Sequence, residues 1–110
     1  MQRLSAAELS AWLSGPADTH PILLDVREEW EYELGHLPGS VLLPLGELDE
    51  EGLEALDLPA NRPIVAICHH GVRSRMAMQL LSHYGYTKVH DLIGGTDAWS
   101  VQIDPMLRRY

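Results

Sequence analysis

The chain has 110 residues, 45% apolar and 22% charged, as expected of one domain with a single core. Its formal net charge of -8, from 8 basic and 16 acidic residues, argues against sequence-independent nucleic-acid binding and against docking on anionic membranes. No stretch is long and apolar enough to span a bilayer, and Glu8 interrupts any N-terminal signal-like run. The one cysteine cannot form an internal disulfide, so a reducing compartment, the cytoplasm, is the expected location. A monomer or weak dimer suits this size.

Ser5 and Glu8 have capping-box spacing, with Leu4 and Leu9 at staple positions. They predict a helix through Trp12 and Leu13 that stops at Gly15-Pro16. Ile22 to Val26 reads as a short apolar strand with Asp25 near its end, and Glu28 to Leu34 as a helix closed by Gly35. The acidic runs Glu28 to Glu33 and Glu47 to Glu54 read as solvated helix faces. His36 to Ser40 is turn chemistry, in which His36 reads as a structural histidine, followed by a brief strand at Val41 to Leu43. One helix is expected over Leu45 to Leu56, with Leu48, Leu53 and Leu56 inward.

Pro63 to Ile67 is brief and β-branched, as a buried strand would be, and it ends at Cys68. Helical spacing follows from Ser74 to Tyr84, with Met76, Ala77, Leu80, Leu81 and Tyr84 on the apolar face. Gly85 ends that helix, Lys88 to Leu92 reads as a strand, and Gly94-Gly95 leads into a short helix holding Trp99. From Asp104 the tail is irregular or a last short helix. Trp12, Trp30 and Trp99 read as core or rim packing, with Trp30 and Trp99 candidates for the pocket border. Strands and helices alternating in this order predict an α/β domain with a mainly parallel sheet of four or five strands, covered on both faces. Ligands in such sheets bind beyond the strands' C-terminal ends, where Asp25 and Cys68 both fall.

Cys68 therefore lies between a strand's C-terminal end and a helix's N-terminal end, where amide N–H groups and the helix dipole favour an anion such as a thiolate. Four residues, His69, His70, Gly71 and Val72, separate it from Arg73. With their amides turned inward they form a nest around the sulfur. Gly71 permits the positive φ of a tight curl, Arg73 offers a planar donor fork to an oxyanion, and Ser74 is a helix cap or first-turn residue whose hydroxyl could donate to the thiolate. His69 and His70 read equally well as pocket-mouth residues and as exposed loop. Adjacent Cys68, His69 and His70 lack the ligand spacing of a zinc site. Asp25 and Arg27 read as a structural ion pair bracing the loop.

These residues resemble a known family. Cys68-His69-His70-Gly71-Val72-Arg73-Ser74 is similar to the Cys-x-x-Gly-x-Arg-Ser loop of small rhodanese-like sulfurtransferases. Leu24-Asp25-Val26-Arg27-Glu28, followed by Glu31-Tyr32 and then Gly35-His36-Leu37-Pro38-Gly39-Ser40, resembles the family's first signature, and Gly94-Gly95-Thr96-Asp97-Ala98-Trp99 its C-terminal one. After Trp99 the family usually shows Gly-x-Pro where this chain has Ile103-Asp104-Pro105, a departure expected to alter only a peripheral turn. The resemblance implies a three-layer α/β/α fold, one domain over residues 1–110, and thiosulfate sulfurtransferase activity through a Cys68 persulfide. It implies no metal or organic cofactor, a small anionic sulfur donor held by Arg73, and cyanide or a thiol, free or on an acceptor protein, as acceptor. With no second cysteine the persulfide cannot resolve internally.

Three rivals stand beside this reading. Cysteine-dependent phosphatases and arsenate reductases of the same fold place one more residue between Cys and Arg than the four found here. Mercaptopyruvate sulfurtransferases resemble Cys-Gly-x-Gly-Val-Thr, without the arginine. A non-catalytic binding or sulfur-relay module would keep the fold, and as a binding module alone it would not need the thiol.

Overall fold

The computed structural model describes residues 1–110. Five parallel strands, β1 (Gln2–Leu4), β2 (Ile22–Asp25), β3 (Val41–Leu42), β4 (Ile64–Ile67) and β5 (Val89–Leu92), form one sheet in the order β1-β5-β4-β2-β3. Between them run helices α1 (Ala6–Leu13), α2 (Glu29–Leu34), α3 (Glu50–Leu56), α4 (Val72–His83) and, after β5, α5 (Gly95–Gln102). Residues of β4 alternate between the two faces, as a strand's two-residue period requires. Ile64 and Ala66 join Ile22, Leu24, Leu53, Ala77 and Leu81 under α3 and α4. Val65 and Ile67 join Leu9, Leu23, Leu92 and Trp99 under α1 and α5. Every residue of β2 and β4 is buried, which is why β4 reads as an unbroken apolar run and β2 as one broken only by Asp25 at its end.

Three expectations need correction. β1 escapes the sequence reading because its three residues are polar or half-exposed and lack any alternation; its register against β5 pairs Arg3 with Asp91. The single helix expected over Leu45 to Leu56 is broken at Leu48, where a 3-10 turn over Leu45–Glu47 ends. Asp49 then caps α3, accepting the Gly52 N–H at 2.9 Å. In α4, Met76 is 53% exposed and Met78 is the buried methionine instead. The predicted capping box of Ser5 and Glu8 is present in full. No helix is long and apolar enough to cross a membrane.

Candidate active site

β4 delivers Cys68 one residue past its last pairing with β2, and the chain turns at once into α4. Gly71 is the N-cap at φ 99°, a left-handed conformation that glycine adopts without strain. The helix thus starts at Val72, two residues earlier than the sequence suggested, and Ser74 sits in its first turn, not at the cap. The thiol is 1% exposed. Its Sγ accepts the Gly71 N–H at 3.0 Å and lies 3.4 Å from Ser74 Oγ. The amides of Val72, Arg73 and Ser74 open the helix and so lack intrahelical acceptors, leaving donors for an anion at this end.

Behind the sulfur a polar chain runs to the surface. Ser74 Oγ lies 3.4 Å from Asp91 Oδ2, and Arg3 grips Asp91 with Nε and Nη2, each at 3.1 Å. In the neutral state the S–H donates to Ser74. In the thiolate the hydroxyl can rotate to donate to sulfur.

Beneath the loop, the first amides of α5 hold its carbonyls: Thr96 N–H donates to Cys68 O at 2.8 Å and Asp97 N–H to His69 O at 3.1 Å. This close approach explains Gly95, since a Cβ there would lie 2.2 Å from Cys68 O and 2.5 Å from His69 O.

A second network braces the loop from the β2 side. Arg27 and Asp25 form a fully buried ion pair, with Nη2 to Oδ2 at 2.7 Å and Nε to Oδ1 at 2.9 Å. Arg27 also donates to Gly35 O at 2.7 Å and, through Nη1, to the Tyr110 hydroxyl at 3.0 Å. That hydroxyl donates to Glu31 at 2.6 Å, and Glu31 holds Arg73 by a two-pronged bridge of 2.5 and 2.8 Å. The bracing pair foreseen in Asp25 and Arg27 is present, three links away from the loop. Arg73, foreseen as the sulfonate's ligand, gives both Nη nitrogens to Glu31 and keeps Nε–H free, its side chain one-third exposed.

Asp91, Arg3 and Tyr110 have no role in the sequence reading, and Glu31 enters it only as part of the family resemblance. Glu31 hides in an acidic run that reads as solvent-facing, yet it is only 3% exposed. Its spacing from Glu28 is the signal that could have found it, because the two form a capping box. Tyr110 has no sequence signal. After Ile103-Asp104-Pro105 the tail folds back: Asp104 N–H bonds to Trp99 O at 2.9 Å, Leu107 is buried, and Tyr110 reaches the loop. There its ring stacks on His69 at 3.8 Å, His69 meets His70 at 3.9 Å, and Trp30 packs edge-on against Tyr110 at 5.9 Å. Trp30 thus borders the site while Trp99 is core. His36 is structural as expected, stacked on Tyr32 and bonded to its carbonyl at 2.8 Å. Burial, then the neighbouring His70, pushes the His69 imidazole toward its neutral form.

The Arg73 bridge, with help from Tyr110 and the Glu28 amide, lowers the Glu31 carboxyl to about 2 from an ordinary 4.5. A carboxyl depressed by folding contributes stability above its unfolded value and loses it as pH falls through the folded one. Wild type is therefore expected to lose about 2 kcal/mol between pH 4.5 and 2 that Glu31→Gln does not lose, a figure reduced for the partial exposure of Arg73. Urea midpoints across that range check it, and parallel curves for the two proteins would remove Glu31 from the brace.

A thiol at the head of a helix, at the C-terminal edge of a parallel sheet and with the Gly71 N–H on its sulfur, places the chain among parallel α/β domains that set a strand–loop–helix turn at that edge. The chain belongs to one family among these: residues 5–102 match the rhodanese-like domain. Among curated proteins, the adenylyltransferase and sulfurtransferase uba4 of Ogataea parapolymorpha is 38% identical over 94% of this chain and 25% of its own length. The putative sulfur carrier protein YrkF of Bacillus subtilis is 42% identical over 71% of this chain and 40% of its own. The chain thus spans a quarter to two-fifths of these relatives. Among solved structures, a rhodanese-related protein from Thermoplasma volcanium superposes with a TM-score of 0.78 at 29% identity, covering 94% of each chain. The human single-domain sulfurtransferase TSTD1 gives 0.77 at 26% identity, over 91% of this chain and 96% of its own.

Proposed function

We propose that this protein is a sulfurtransferase that carries sulfane sulfur on Cys68, from thiosulfate or a similar anionic donor to cyanide or a thiol. The observation that carries the reading is the sulfur's position at the head of α4 with the Gly71 N–H on it at 3.0 Å. The names of its relatives, sulfurtransferases and a sulfur carrier, support the same chemistry.

In the first half-reaction the Cys68 thiolate attacks the outer sulfur of thiosulfate. The S–S bond of the donor breaks, sulfite leaves with the electron pair, and a Cys68 persulfide anion remains. In the second, cyanide or a thiolate attacks the terminal sulfur and the Cys68 thiolate departs. Splitting one transfer into two displacements is covalent catalysis. The fixed amide donors stabilise charge on the sulfur in both halves without reorganising. A thiol 1% exposed favours donors that offer a slim terminal sulfur over bulky ones.

The phosphatase reading draws less support, because only four residues separate Cys68 from Arg73, one fewer than in phosphatase loops, which leaves a smaller ring of amides than a tetrahedral phosphate needs. A binding module would have no use for the hydrogen bonds on Sγ. Intact-mass measurement tests the proposal. Thiosulfate should add one sulfur atom to the protein, cyanide should remove it as thiocyanate, and Cys68→Ser should take up none. No mass gain from any sulfane donor would end the reading.

A further inference from the structure

The loop has two flanks, and they differ. On the α2 side Tyr110 stacks on His69 and Trp30 packs behind it, so that approach is covered. On the other side the loop borders a cleft of about 330 Å³ lined by Arg3, His70, Val72, Arg75, Met76 and Gln79, with no carboxylate in its wall. Val72, Arg75, Met76 and Gln79 recur at helical spacing and make the outer stripe of the first two turns of α4. Val72 is 70% and Met76 53% exposed, two large apolar side chains beside the reactive loop with nothing over them. Arg3, Arg27, Arg73 and Arg109 are each held by a carboxylate, whereas Arg75, like Arg62, Lys88 and Arg108, makes no ion pair. Of these four unpaired cations Arg75 is the one in the cleft, beside the exposed Val72 and Met76, on a chain of net charge -8.

We propose that this cleft is where the sulfur acceptor docks, and that the acceptor is a protein whose thiol is flanked by apolar and acidic residues. The inference rests on the sulfur-transfer reading and names the partner's chemistry. The apolar groups would cover Val72 and Met76 and the acids would meet Arg75, bringing the partner's thiolate to the persulfide. That thiolate attacks the terminal sulfur, Cys68 leaves as thiolate, and the persulfide now belongs to the acceptor.

Local and global charge predict opposite outcomes, which makes the test sharp. Protein loaded with thiosulfate is mixed with either of two short peptides, Asp-Leu-Cys-Leu-Asp or Lys-Leu-Cys-Leu-Lys, and discharge is followed by intact mass. Each rate is divided by that peptide's rate with a small neutral disulfide, which removes intrinsic thiol reactivity. Net charge alone favours the lysine peptide. The cleft predicts that the aspartate peptide is about fivefold faster at low ionic strength, with the advantage fading in high salt. Arg75→Glu should reverse the preference, and Lys88→Glu, the same charge change at an exposed site outside this cleft, should keep it. Equal rates, a lysine preference in wild type, or equal loss in both variants overturns the docking site. Failure to load sulfur at all would instead bring down the transfer reading, and this inference with it.

Discussion

Gly95→Ala is expected to destabilise the fold and disable the loop together. The new methyl group would lie 2.2 Å from Cys68 O and 2.5 Å from His69 O, both backbone atoms that cannot swing aside. Gly95 also sits at φ 58°, where a side chain adds strain of its own. Overpacking and left-handed strain together should cost about 2–5 kcal/mol. Relief would push α5 off the loop and break the bonds from Thr96 and Asp97 to its carbonyls, so the amides facing the sulfur would lose their alignment. Urea midpoint and sulfur loading should therefore fall together. A variant with the wild-type midpoint and full loading would show that α5 does not hold the loop.

The contrast between Gly95 and Tyr110 marks how far the sequence could be read. Both strands that point at the site, β2 and β4, are buried on both faces, so local composition reports them directly. Cys68, Gly71 and Gly95 sit where the backbone tolerates few alternatives, and such positions leave short, fixed motifs. The braces behave differently. Glu31 to Arg73 and Arg3 to Asp91 join residues far apart in the chain, and even where one partner is legible, as Arg73 is, the sequence does not say which carboxylate meets it. Charge in a run says nothing about which member turns inward; that depends on where α2 docks. Tyr110 is the extreme case, because its contacts with Arg27, Glu31 and His69 depend on where the tail folds back. The broken helix at Leu48 belongs to the same class, since buried leucines at Leu48 and Leu53 fit one continuous helix as well as a turn followed by a helix.

Arg27→Met should be the most damaging single change outside the thiol. Asp25 is fully buried, and without the guanidinium its carboxylate keeps only the Arg27 backbone N–H at 3.1 Å. Breaking a buried pair by removing one partner costs about 3–5 kcal/mol, because an uncompensated charge stays behind. For a domain whose total stability is on the order of 5–15 kcal/mol, that is a large share. Gly35 O and the Tyr110 hydroxyl lose their donor as well, so the line from Arg27 through Tyr110 and Glu31 to Arg73 is cut at its fixed end. Replacing both partners, Asp25→Leu with Arg27→Met, removes the stranded charge and should recover at least half of the lost stability. If the pair served packing alone, that double variant would also load sulfur normally. If it anchors the loop, stability returns while thiosulfate loading stays slow, because nothing then holds Tyr110 on Glu31 from the β2 side. A single variant within about 1 kcal/mol of wild type would mean that water or another group already reaches Asp25, and the buried brace would have no energetic basis.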